Sequence, residues 1–353
     1  MGLACDAGSD ICEMALSKLM NSAQTASEAG AITLRQKLSF AAFVSILFIA
    51  IPIIFGRSPY FITVLTNAAA LSFISLGVWI TFSIGRMNLA QGAFALVGGY
   101  TAAILMTRCA LSFWVSLPLS GLVSAILGAL IGWPVLRLRG VYFAMITLSL
   151  TEAIRLLALN GGDVTKGATG IVNISRPGAI SIFGLTVVPA FAGADPLPYY
   201  FLACTLLVLG LIGVWRLSTS RLGWVFRSLR QNEDLAASIG INVAKYRVMA
   251  FAACCFMGGI GGAFFAAFHQ NIYPASYTVA DSVNFLLYCF LGGLSYIFGP
   301  VVGAFLLVIS FELLQAAQQY QALIYGVLMI VCMLWLPNGI LSLDLRRLLG
   351  RKE

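Results

Sequence analysis

Between Lys37 and Arg137 the chain carries only three charged residues, Arg57, Arg86 and Arg108, and each stands alone between long apolar runs. The four runs they delimit, Leu38 to Gly56, Ser58 to Gly85, Met87 to Thr107 and Cys109 to Leu136, each approach or exceed the roughly 20 residues that an α-helix needs to cross about 30 Å of hydrocarbon. A soluble domain of about 25% charged residues cannot contain such a series, and this chain is 60% hydrophobic and 10% charged over 353 residues. The spacing predicts a polytopic membrane protein, so membrane spans, not soluble domains, are the units to count.

Further spans are predicted from Gly140 to Leu159, interrupted by Glu152 and Arg155, and from Pro196 to Trp215. Val248 to Ala280 is long enough for one span and a loop through Tyr273 and Pro274. Ser282 to Leu343 carries Glu312 as its one charge and divides at Gly299-Pro300 and again in the polar segment Gln315 to Gln321. The expected fold class is an all-α polytopic membrane protein of about ten transmembrane helices. Lys and Arg mark cytoplasmic loops. With both termini cytoplasmic, the 21 basic residues divide sixteen inside to five outside. That places residues 1–37 as a polar cytoplasmic leader, 38–343 as the membrane domain and 344–353 as a basic cytoplasmic tail. A broken or re-entrant helix around Gly85 to Gln91 would change the helix count and leave the termini where they are.

The opening MGLACDAGSD lacks a basic and an apolar region, and Asp6 stands where a myristoylation signal has Ser or Thr, so neither a cleaved signal nor a lipid anchor is expected. The 21 basic residues against 13 acidic are spread around the spans instead of forming a basic face, which excludes a nucleic-acid partner and leaves lipid. Of eight cysteines, Cys109, Cys204, Cys254, Cys255, Cys289 and Cys332 fall in apolar runs and read as small packing residues. Gly128 with Gly132, Gly258 with Gly262, Gly299 with Gly303, and Ala95 with Gly99 have the four-residue spacing that lets helix backbones approach.

Two loops exceed a tight turn. Residues 160–198 are rich in Gly and Pro, contain Asp163, Lys166, Arg176 and Asp195, and are expected to cap the external face. Residues 216–247 show helical periodicity, with Trp224, Leu229, Leu235 and Ile239 among Arg227, Arg230, Glu233 and Asp234, and with Gly240 at a helix C-terminus. One short amphipathic helix along the membrane surface fits; residues alone leave open whether it rests on lipid or seats in a partner.

The chain offers no metalloprotease, nucleophile-elbow or phosphate-loop motif and no Cys or His cluster. Its one histidine, His269, sits with Gln270 and Asn271 at a span end, where an interfacial hydrogen-bonding role fits. No catalytic, cofactor-binding or metal-binding residue is expected. Charges inside hydrocarbon cost about 2.5 to 3.5 kcal/mol even on the mildest scale. Glu152 and Arg155, three apart on one helix, neutralise each other, either as a structural bolt or as a polar station on a solute path. Glu312 has no partner near it in sequence. An ion-coupled carrier using Glu312 or the Glu152–Arg155 pair, and a structural scaffold, are two readings these residues allow.

Arg139-Gly140-Val141-Tyr142-Phe143-Ala144, continuing through Ile146-Thr147-Leu148 to Glu152 and Arg155, resembles the signature of LivM-type permeases of branched-chain amino-acid ABC importers. The resemblance continues through Asn88-Leu89-Ala90-Gln91-Gly92, Thr165 to Gly170, Arg176-Pro177, Gly292-Gly293, Gly299-Pro300 and Gly303-Ala304, covering about residues 60 to 340. Lys166 stands where the family often has glycine. Ser220-Arg221-Leu222-Gly223, followed by Arg230, Glu233, Ala236, Ala237, Gly240 and Ile241, is similar to the family's cytoplasmic coupling segment. The resemblance implies an ABC importer permease bundle in the bacterial inner membrane, partnered by a LivH-like second permease, two ATPase subunits that hold ATP and Mg, and an external solute-binding protein. It implies coupling through Arg227, Arg230, Glu233, Asp234, Ala236, Ala237 and Gly240, and makes Asn88, Gln91, Tyr142, Glu152 and Arg155 the candidates for the solute path. Branched-chain amino acids are the implied solute, with urea, amides and aromatic acids carried by similar permeases.

Overall fold

A computed structural model describes residues 44–55, 58–138, 140–178, 180–182, 185–188, 191, 195–314, 326–327, 330 and 339–342. The leader 1–37, Arg139, Cys332, the polar segment Gln315 to Gln321, most of the final span and the tail 344–353 lie outside the described residues. Two compact units are present, residues 1–56 and 57–353. In the first, the described part of the expected span is a π-helical turn, Ile46–Ala50, running into an α-helical one, Ile51–Phe55.

The second unit is a helix bundle. Its described helices are α1 (Pro59–Phe82), α2 (Gln91–Thr107), α3 (Phe113–Val135), α4 (Val141–Leu159), α5 (Leu197–Thr219), α6 (Arg221–Gln231), α7 (Glu233–Ser238), α8 (Val243–His269), α9 (Val279–Gly292) and α10 (Gly299–Leu313). Among the described residues, α1, α3, α4, α5 and α8 are long and apolar enough to cross a membrane, and α2 and α10 are shorter apolar helices. Where they are described, the charge-free runs are mainly helical, and the break at Gly299-Pro300 is where α10 begins. Proline fits there because a first-turn residue needs no backbone N–H partner.

Helix α8 is central, packing on α1, α2 and α3, while α9 and α10 pair with each other and both lie on α1. Small residues set these distances. A Cβ on Gly98 would overlap the backbone of Gly259, one on Gly262 would overlap the carbonyl of Ala95, and one on Gly303 would overlap that of Tyr288. Backbones in such contact leave no room for side chains between them, and the bundle gains its packing from dispersion and shape. Cys204, Cys254, Cys255 and Cys289 are buried packing residues as expected. Cys109 departs from that expectation: it is exposed, because the chain has already left α2 and not yet entered α3.

Helix α2 begins at Gln91, not at Met87, and residues 86–90 are non-helical within the bundle, the broken-helix alternative for this segment. A non-helical stretch among helices leaves backbone groups without partners, which buried structure does not tolerate. Side chains meet them: Thr147 Oγ1 accepts from the Leu89 N–H at 3.2 Å, Thr151 Oγ1 donates to the Leu89 carbonyl at 2.9 Å, and Ser282 Oγ accepts from the Gly92 N–H at 3.0 Å.

At the end opposite Arg86, strand β1 (Ile171–Val172) pairs antiparallel with β4 (Asn271–Ile272), and β2 (Ile180–Ile182) pairs with β3 (Leu185–Val188). The first pair ties the 160–198 segment to the end of α8. Gly170 precedes it at φ 65° with Ile272 and Tyr273 against its Cα, where any side chain would clash. Lys166, the position at which the resembling family often has glycine, is also left-handed, at φ 63°.

Candidate functional site

The 216–247 segment holds two helices where one was expected. Asn232 leaves helical geometry at φ −158° and its Oδ1 accepts from the N–H groups of Asp234 at 3.0 Å and Leu235 at 3.1 Å, so it caps α7 and ends α6. Gly240, at φ 86°, closes α7, with its N–H on the Ala237 carbonyl at 3.0 Å. The apolar stripe read from the sequence separates into two faces. Leu229 packs inward with Phe226 and Ala236, whereas Trp224, Leu235 and Ile239 are 68%, 64% and 70% exposed. Ala237 and Asp234 are exposed beside them.

The charges of this segment also divide. Arg227 donates to the carbonyls of Ser218 at 3.1 Å and Gly223 at 3.3 Å and lies over the Trp224 ring at 4.4 Å. Arg230 lies over the Phe82 ring at 4.4 Å, which seats α6 on the end of α1. Glu233 turns inward. Its Oε1 accepts from Arg86 Nη2 at 2.9 Å and its Oε2 is ion-paired with Arg247 Nη2. Arg86 also donates through Nη1 to the Leu138 carbonyl at 2.6 Å, and Arg247 through Nη1 to the Leu136 carbonyl at 3.2 Å. Both arginines are nearly buried, at 3% and 7% exposure. Both meet carbonyls at the C-terminal end of α3, where helix geometry leaves acceptors unpaired and favours cations.

Among the path candidates, Asn88 and Gln91 are fully buried and bonded within the bundle. Asn88 Oδ1 accepts from the Ala90 N–H at 2.9 Å and its Nδ2 donates to Cys254 Sγ at 3.2 Å. Gln91 Nε2 donates to the carbonyls of Ile74 at 2.9 Å and Cys254 at 3.2 Å, and its Oε1 accepts from Cys254 Sγ at 2.8 Å. Tyr142 is 72% exposed at the start of α4. Glu152 and Arg155 form a forked pair, Nε to Oε2 at 2.9 Å, on the half-exposed side of α4.

Glu312 has a partner remote in sequence: the Tyr60 hydroxyl donates to its Oε1. His269 stacks on Phe265 at 5.7 Å. Beside it a cavity of about 310 Å³ is lined by Leu71, Phe265, Asn271, Ser276 and Asp281, and a second, of about 690 Å³, by Arg108, Asp163 and Lys166. Tyr277, in the loop before α9, is buried, and burial pushes its phenol well above the ordinary range. Among the described residues no group of His, Cys, Asp and Glu is placed to hold a metal ion. Sequence reading missed Arg86 and Arg247 as partners of Glu233, and Thr147, Thr151 and Ser282 as supports of the non-helical segment. A lone arginine at a helix boundary was the available signal for Arg86.

The profile of the family described as branched-chain amino acid transport system, permease component, matches residues 60–333. The chain is 35% identical over 328 residues to the high-affinity branched-chain amino acid transport system permease protein LivM of Salmonella typhimurium, covering 88% of this chain and 76% of that protein. The same protein of Escherichia coli K12 is 34% identical over the same shares. The probable branched-chain amino acid transport permease protein LivH of Methanocaldococcus jannaschii is 28% identical over 78% of this chain and 89% of its own length. No solved structure matches.

Proposed function

The chain belongs to the permease component family of branched-chain amino acid transport systems, a multi-pass inner-membrane protein, and from that premise we propose that it is one half of the translocation pathway of an ATP-driven importer. Its solute is a branched-chain amino acid, its partners a LivH-like permease, two cytoplasmic ATPase subunits that bind ATP and Mg, and an external binding protein. The chain itself performs no chemistry. About ten transmembrane helices with both termini and the 216–247 segment in the cytoplasm complete the reading, with 160–198 outside among the two cavities that face an incoming solute.

The observation that carries this reading is the two-faced α6–α7 pair. One face is anchored to the bundle by Phe226, Leu229 and Ala236, and the other presents Trp224, Leu235 and Ile239 with small Ala237 and Asp234 exposed beside them. An apolar face on a short, doubly capped helix suits a groove on another subunit. Rigid anchoring lets closure of that groove move the bundle as a body. The solute path is assigned to the outward side of α4, which carries Tyr142, Glu152 and Arg155 and is 28% buried along its central stretch, against 72% for α1 and α8. A half-exposed ion pair there calls for water or a second protein, not lipid tails.

Ala237→Trp tests the coupling reading, because Ala237 is exposed while Ala236 is buried. The variant should insert and fold normally, lose the ATPase subunits on purification and support no uptake. Wild-type ATP hydrolysis and uptake in that variant would return this segment to the lipid surface. For topology, a cysteine at Thr165 in a cysteine-free background should be modified from outside only.

A further inference from the structure

Four elements meet at one carboxylate. Glu233 opens α7, Arg86 sits where α1 passes into the non-helical stretch, Arg247 lies in the first turns of α8, and both arginines hold carbonyls at the end of α3. The side chain of Glu233 is 18% exposed and each of its oxygens meets a guanidinium of its own chain. It therefore points away from the face that Leu235 and Ile239 present. We propose that Glu233 is the positioning residue through which α7 moves the bundle, and not a contact to the ATPase; this rests on the reading that α7 docks an ATPase subunit.

The geometry gives the clamp something to move. Arg86 is covalently followed by residues 87–90, which are not helical, and whose far end is held by Thr147 and Thr151 of α4 and, at Gly92, by Ser282 of α9. The stretch has no repeating backbone ladder and is held by side chains instead, Asn88 Oδ1 on the Ala90 N–H and Thr147 and Thr151 on Leu89, so a displacement of Arg86 is passed to the groups that hold it. A displacement of α7 thus reaches α3 and α8 directly through the arginines and reaches α2, α4 and α9 through the stretch. Among the described residues the clamp joins two guanidinium groups to one carboxylate. Removing the carboxylate leaves two cations facing each other, whereas removing one arginine leaves a neutral pair.

The test uses the whole complex reconstituted in vesicles, with ATPase retention, solute-stimulated ATP hydrolysis and uptake measured together. Glu233→Gln should keep its ATPase subunits, lose the response of hydrolysis to loaded binding protein, and lower uptake about tenfold. Adding Arg247→Gln should recover part of that loss by removing the cation pair. Arg86→Lys keeps the charge but cannot fork between the carboxylate and the Leu138 carbonyl, and it should show the same split if Glu233→Gln fails to accumulate. Release of ATPase subunits by Glu233→Gln or Arg86→Lys, or undiminished uptake in either, overturns the clamp. A wild-type chain that retains no ATPase subunit overturns the docking reading beneath it instead, so the two failures are distinct.

Discussion

Two sets of charges in this chain obey the same electrostatics and come out differently. Glu152 and Arg155 pair within one helix, three residues apart and half-exposed. Glu233 pairs with Arg86 and Arg247 across three elements, with both arginines nearly buried. The local pair neutralises charge without joining anything, since a helix already fixes residues three apart. The remote cluster neutralises charge and in doing so holds the α6–α7 segment to the bundle. In water an ion pair contributes little. Out of water its two halves cannot separate without large loss, so its value as a mechanical link depends on burial.

Arg86→Met should have the largest effect. It removes one of the two cations facing Glu233 and leaves the Leu138 carbonyl without its guanidinium. Because Arg247 still compensates the carboxylate, the loss should be that of buried acceptors deprived of a charged donor, about 2 kcal/mol. Thermal unfolding in detergent, read as a lowered midpoint and lower folded yield, measures it. An unchanged midpoint would reduce the cluster to the rank of the Glu152 pair.

That difference was only half legible in the sequence. The i,i+3 spacing of Glu152 and Arg155 can be written down from the chain because a helix is local, and charge-free runs located α1, α3 and α5 for the same reason. Helix α8 starts earlier than its run, at Val243, because Lys245 and Arg247 are helical but charged and so fell outside a charge-free criterion. Glu233 and Arg86 are 147 positions apart, and only the packed bundle brings them together. The stripe Trp224, Leu229, Leu235, Ile239 was read as one face because one helix was assumed. Asn232 followed by Glu233 and Asp234, a capping residue before two acids, was the sign that a second helix begins there. Asn88 and Gln91 were placed on a path by resemblance, and their amides are taken up by Ala90, Ile74 and Cys254 within the bundle. Polarity in a span marks a place where something must be bonded, and sequence does not say whether that is a solute or a backbone.

Glu152→Gln and Arg155→Met should act at a second, smaller level. The pair bolts no two helices together, so the folded amount of each variant and of the double variant should stay close to that of the parent. Uptake should fall in all three if the outward side of α4 meets solute or the second permease. Loss of folded protein in the singles with recovery in the double would make the pair a structural bolt and move the path elsewhere.

The smallest effect expected is that of salt, and it separates the two clusters without a new mutation. At 1 M ionic strength the screening length falls to about 3 Å, short enough to weaken a pair that water and ions reach. Glu152 and Arg155 are open to such screening in detergent, so whatever stability separates Glu152→Gln from the parent should shrink as salt is added. Arg86 and Arg247 are sealed by α3 and by the segment above them, and the deficit of Arg86→Met should persist at the same salt. Parallel unfolding curves at low and high salt make the comparison. If both deficits shrink together, ions reach Glu233 as easily as Glu152, and the carboxylate faces the solvent side of α7, where an ATPase and not the bundle would be its natural partner.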